Sequence, residues 1–148
     1  MNNKIPPPIV TFICGTAIFF SKSFFNQFFN YSNNIISLFL LIFGLGVFLL
    51  AVKAFGKHKT TVNPLEPRQA SSLVVSGIFK FSRNPMYLGM FIVLLSISFK
   101  INLVGGIIIS LFFYLFITKF QIIPEEKAMN ELFGDEFIEY SNKTRRWI

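Results

Sequence analysis

The chain has 148 residues, 53% of them hydrophobic and only 14% charged, with 21 Phe, a mean hydropathy of +0.58 and a net charge of +7. A soluble domain carries about a quarter charged residues, so this composition predicts an integral membrane protein. The basic residues stand beside apolar runs, where membrane orientation and anionic lipid head groups account for them and nucleic acid does not. One cysteine, Cys14, and one histidine, His58, exclude an internal disulfide and leave no ligand set for a metal.

The first apolar run, Ile5 to Phe20, opens on Pro6, Pro7 and Pro8 and lacks the small-residue cleavage site of a signal peptide. The second, Ile35 to Val52, holds no charge and reaches about 27 Å as a helix, close to the hydrocarbon thickness. Its Gly44 and Gly46 form a smooth patch that another helix can approach. A third run covers 86–99 and a fourth 103–118, and Lys100 and Asn102 mark a tight turn that makes them a hairpin. From Pro124, residues Met129, Leu132, Phe133, Phe137 and Tyr140 recur at helical spacing with acids between them, predicting an amphipathic helix on the cytoplasmic face. The expected fold is all-α: about four transmembrane helices plus this C-terminal helix, in one domain over 1–148.

With the N-terminus inside, twelve of the fourteen Lys and Arg fall on the cytoplasmic side, leaving Lys22 and Lys100 outside. Both termini and the long loop between the second and third runs are therefore expected in the cytoplasm. All seven acidic residues, Glu66 and six from Glu125 to Glu139, lie outside the apolar runs, which argues against proton-coupled export.

Polar residues concentrate in two cytoplasmic stretches, "KHKTTVNPLEPRQASSLVVSGIFKFSRNPMYLG" and "PEEKAMNELFGDEFIEYSNKTRRWI". Singly, each residue has a structural reading. Asn84 and Pro85 can start the third helix, and Arg83 can snorkel to the interface. Glu125 and Glu126 suit a helix N-terminus, and Tyr87 and Tyr140 suit an interfacial belt. His58, among lysines, reads as a solvated loop residue.

In combination, "TTVNP", "LVVSGIFKFSRNPMYLG", a hydrophobic hairpin, "PEEKAMNELFGDEFIEY" and "RRWI" resemble the isoprenylcysteine carboxyl methyltransferase family, within the wider group that includes phospholipid methyltransferases. The resemblance runs from about Thr60 to Ile148. It implies a membrane enzyme that uses S-adenosylmethionine at the cytoplasmic face on a prenylated or lipid-like acceptor entering from the bilayer. The motif residues it implies are Arg83, Asn84, Pro85, Tyr87, Gly89, Glu125, Glu126, Leu132, Phe133, Gly134, Tyr140 and Arg145 or Arg146. Arg83, Glu126 and Tyr87 would be catalytic; Asn84, Pro85, Tyr87, Gly89, Glu125, Glu126 and Tyr140 would hold the cofactor. Better-known members have histidine where this chain has Asn84, whose amide can donate a hydrogen bond but cannot take a proton.

Methyl transfer from a sulfonium needs alignment and exclusion of water, and neither a metal nor a covalent nucleophile. Arg83 can pair with a carboxylate through its planar fork, and Gly89 allows a cofactor or another backbone to come close. Phospholipid or amine N-methylation, a sterol-reductase-like enzyme using NADPH, and a non-catalytic membrane scaffold are the alternatives. The expected location is a bacterial inner membrane.

Overall fold

A computed structural model describes residues 5–25, 34–57 and 71–148. Within them every regular element is helical: α1 (Pro7–Ser21), α2 (Asn34–Lys57), a short 3-10 turn (Gly77–Lys80), α3 (Pro85–Ile101), α4 (Leu103–Ile117), a π turn (Thr118–Ile122) and α5 (Ile123–Lys143). His58, the "TTVNP" stretch, Lys4, Lys59, Glu66 and Arg68 lie outside the described residues.

Each helix starts where the chain offers a reason. Pro7 and Pro8 stand in the first turn of α1, where their missing N–H groups cost nothing, and Pro85 does the same for α3. Asn102 alone separates α3 from α4. Its backbone is extended, and its side-chain oxygen accepts from the Gly105 N–H at 3.3 Å, capping α4. The expected hairpin with almost no loop is therefore present.

Helix α3 is the centre of the bundle and packs against α1, α2 and α4. Tyr87, Met90 and Leu94 of α3 share a buried cluster with Val10, Cys14 and Ile18 of α1, and with Phe113, Ile117 and Ile122. A second cluster joins Ala51 of α2, Val74, Phe79, and Phe137 and Tyr140 of α5. Small residues set the closest approach. A Cβ on Gly89 would lie 2.7 Å from the Gly44 carbonyl oxygen, and one on Gly44 2.9 Å from that of Gly89, so α2 and α3 cross backbone to backbone. Gly105 and Gly106 lie against the side chains of Ser21 and Ser98, whereas Gly46 meets nothing within 4 Å.

The polarity of the bundle is that of a membrane protein. Ser37 and Ser96 are buried and exchange hydrogen bonds with each other's carbonyls, at 3.0 and 2.8 Å. Phe12, Phe39 and Phe112, by contrast, are more than half exposed on the outer faces of α1, α2 and α4, amid Ile, Leu and other Phe. An exterior of this kind is stable in lipid and not in water. Two helical stretches, Asn34–Gly56 and Leu103–Lys143, are long and apolar enough to cross a membrane, while α1 and α3 are apolar but shorter.

Helix α5 departs from the expected regular helix. It continues α4 through the π turn, and Gly134 breaks it with φ +48° and ψ −120°, a conformation that glycine reaches without steric cost. Ala128, Phe137 and Tyr140 face inward, and Met129 and Phe133 pack on the second cluster. Leu132 is exposed despite its apolar spacing.

Candidate functional site

The two polar stretches meet at the end of the bundle where α2 ends, α3 begins and α4 passes into α5. Arg83, just before α3, has a side chain 13% exposed and is held by four groups between residues 126 and 145. Its Nη2 donates to Glu126 Oε1 at 2.7 Å, and its Nη1 donates to the carbonyls of Ser141 at 2.8 Å and Thr144 at 2.7 Å. Its backbone N–H donates to the Arg145 carbonyl at 3.0 Å. The buried Arg83 Nε has no partner among the described residues.

Glu126 also accepts from Arg146, whose Nη2 lies 2.7 Å from Oε2 and whose Nε reaches both oxygens. Burial alone would raise the Glu126 pKa, but the hydrogen bonds and charges of Arg146 and Arg83 outweigh it and hold the carboxyl below its ordinary range. Of the two terminal arginines, Arg146 makes this pair; Arg145 exposes its side chain and contributes its carbonyl.

Glu125 is placed differently. Its Oε1 accepts from the Tyr87 hydroxyl at 2.6 Å and from Gln121 Nε2 at 2.6 Å. Glu125 lies beyond the apolar stretch of α4, in the first turn of α5. Burial pushes its carboxyl up to about 7; the hydrogen bonds from Tyr87 and Gln121 oppose this and the charge of Glu126 adds to it. Two adjacent carboxyls thus differ in character, one fixed as an anion between two arginines and the other poised near neutrality.

Asn84 occupies the N-cap position of α3, but its side chain makes no cap; the expected capping role is corrected by a bond from its Nδ2 to the Arg146 carbonyl at 3.0 Å. The tail is thereby tied to α3 through Arg83 and Asn84. Trp147 extends the tie: its Nε1 donates to Thr118 Oγ1 at 3.1 Å, and its ring lies 4.7 Å from that of Tyr114.

Arg83, Asn84, Tyr87, Glu125 and Glu126 therefore come together, as do Arg146 and the unforeseen Gln121. Pro85 and Gly89 sit in packing. Pro85 is fully buried, and the backbone that comes close to Gly89 is that of α2. Tyr140 is buried in the second cluster, with its hydroxyl donating to the Phe79 carbonyl at 2.7 Å. Gln121 had one signal in the sequence, a lone amide inside the apolar "KFQII" four residues before Glu125. Among the described residues no group of His, Cys, Asp and Glu is arranged to hold a metal.

Two comparisons bear on this site. An uncharacterized protein of Haemophilus influenzae (strain ATCC 51907 / DSM 11121 / KW20 / Rd) is 35% identical over 63 residues, which is all of that protein and 43% of this chain. The phospholipid methyltransferase family matches residues 32–136. The matched range starts earlier than the stretch that carries the sequence resemblance, taking in α2, and it includes Arg83, Tyr87, Gln121, Glu125 and Glu126 while stopping short of the tail that closes over them. On a match that covers most of its length, the chain belongs to the phospholipid methyltransferase family of membrane methyltransferases.

Proposed function

We propose that the protein is an S-adenosylmethionine-dependent methyltransferase acting on a lipophilic acceptor, of the prenylated or lipid-like kind that isoprenylcysteine carboxyl methyltransferases take. The observation that carries this reading is the contact between two motifs far apart in sequence, Arg83 to Tyr87 and Glu125 to Glu126, at one end of an apolar bundle. Family membership supports methyl transfer as the chemistry.

The residues suit such a cofactor. A sulfonium cation favours carboxylate and aromatic surroundings, and Glu125 and the Tyr114–Trp147 pair supply both near the tail. The amino-acid end of the cofactor carries a carboxylate and an ammonium. Arg146, the unpaired Arg83 Nε–H and the two glutamates are groups of matching charge. When bound, the cofactor supplies an activated methyl group. The chain's own contribution is to align the acceptor, keep water out under the tail, and at Glu125 take up a proton that an amine, thiol or acid acceptor gives off.

In this reading the whole of 1–148 is one unit, with the cofactor part in 60–148. Helices α1 to α4 all span the bilayer, α5 lies amphipathic on the cytoplasmic face, and both termini and the site are cytoplasmic, as in a bacterial inner membrane. The distribution of Lys and Arg supports that orientation.

Calorimetric titration of the detergent-purified protein with S-adenosylmethionine and, separately, with NADPH tests the reading. Binding of the first, lost in Glu126→Ala and weakened in Glu125→Gln, is expected. Binding of NADPH alone would transfer the assignment to a reductase, and binding of neither by folded protein would leave a scaffold.

A further inference from the structure

We propose that Gln121, turned inward by the π turn, is a positioning residue that fixes the Glu125 carboxyl against Tyr87. The inference deepens the methyltransferase reading and rests on it for its functional meaning, but its geometry stands alone.

Phe113, Ile117, Gln121 and Glu125 form a row at four-residue spacing. In a regular α-helix such a row drifts around the axis by about 40° per step, because four residues turn through more than one full turn. Past Ile117 the π turn offsets this drift. The Ile123 N–H donates to the Thr118 carbonyl, five residues back, so the backbone winds more slowly between them. Phe113 and Ile117 are fully buried against α3, Gln121 follows them at 3% exposure, and Glu125 continues the row to meet Tyr87 of α3. π turns inside helices occur often at functional sites.

A primary amide at 3% exposure is costly unless bonded. Gln121 bonds Glu125. Its Nε2 and the Tyr87 hydroxyl converge on one oxygen, Oε1. The charged neighbours Arg83 and Arg146 are both engaged by Glu126. Glu125 is thus held by two neutral donors that fix its plane without cancelling its charge, which is what a proton acceptor or a partner for a ligand cation requires.

The test is an infrared titration of the full chain in detergent, with Glu125→Gln identifying the Glu125 carboxyl band, alongside S-adenosylmethionine binding. Gln121→Leu is expected to raise the Glu125 midpoint by about one pH unit, because a donor to the charged form is lost. Gln121→Met keeps the length of the side chain and loses the donor, so it is expected to raise the midpoint in the same direction, and it serves if Gln121→Leu does not fold. An unchanged midpoint in a folded variant overturns the proposal. A shifted midpoint in a protein that binds no S-adenosylmethionine keeps the positioning role and removes the methyltransferase reading instead.

Discussion

The Tyr87 hydroxyl donates to Glu125 Oε1 at 2.6 Å, joining the first turn of α3 to the first turn of α5 across 38 positions of sequence. Tyr87→Phe removes this bond together with the hydroxyl's interaction with Gln121. We expect a loss of about 1–2 kcal/mol in stability, in line with a hydrogen bond to a charged acceptor, and weaker S-adenosylmethionine binding. Thermal unfolding and calorimetry on the same preparation measure both.

Glu126→Gln leaves Arg83 and Arg146 facing each other without a shared anion. Because Glu126 is only 18% exposed and Arg83 13%, the cost is expected to approach that of breaking a buried pair, about 3 kcal/mol. The exposed pair Glu139–Lys143 is the control: Lys143→Ala should leave the unfolding midpoint where it was.

Gly89→Ala forces α2 and α3 apart, since the added methyl would lie 2.7 Å from the Gly44 oxygen and 2.9 Å from Phe48. Overpacking of this kind costs about 1–3 kcal/mol. Gly46→Ala, with open space around it, is expected to be neutral or slightly stabilising. Equal destabilisation by the two changes would remove the close crossing as the explanation.

Stability should also depend on pH in a way the two glutamates divide between them. The Glu125 carboxyl sits at about 7 in the folded chain against an ordinary 4.5, so its contribution is complete below 4.5 and lost as pH rises through 7. The Glu126 carboxyl is lowered, so its contribution is complete above 4.5 and lost on acidification. A maximum around pH 5 follows. In Glu125→Gln the decline from pH 5 to 8 should flatten, as equilibrium unfolding at several pH values would report.

Much of this architecture was legible in the residues. Uncharged apolar runs bounded by Pro, Lys and Asn fix α1 to α4 to within a few positions, because a membrane helix leaves no room for interior charge. The meeting of Arg83 and Tyr87 with Glu125 and Glu126 was reached only through family resemblance, since no local pattern links groups about forty residues apart. Three features left no local trace. The π turn is written in "TKFQI", which reads equally well as α-helix. The carbonyls that hold Arg83 belong to the backbone, which sequence composition does not distinguish. Gly89 offered two readings, ligand or backbone, and the partner that decides it is Gly44, on another helix.

Arg83 leaves the ribosome about sixty residues before the carbonyls of Ser141, Thr144 and Arg145 that occupy its donors. All of α1 to α4 thus precedes in the chain the carbonyls that hold the Arg83 side chain. A chain cut near residue 140 would keep these helices and the Arg83–Glu126 pair and lose both carbonyls on Nη1, so the bundle and the finished site are separable.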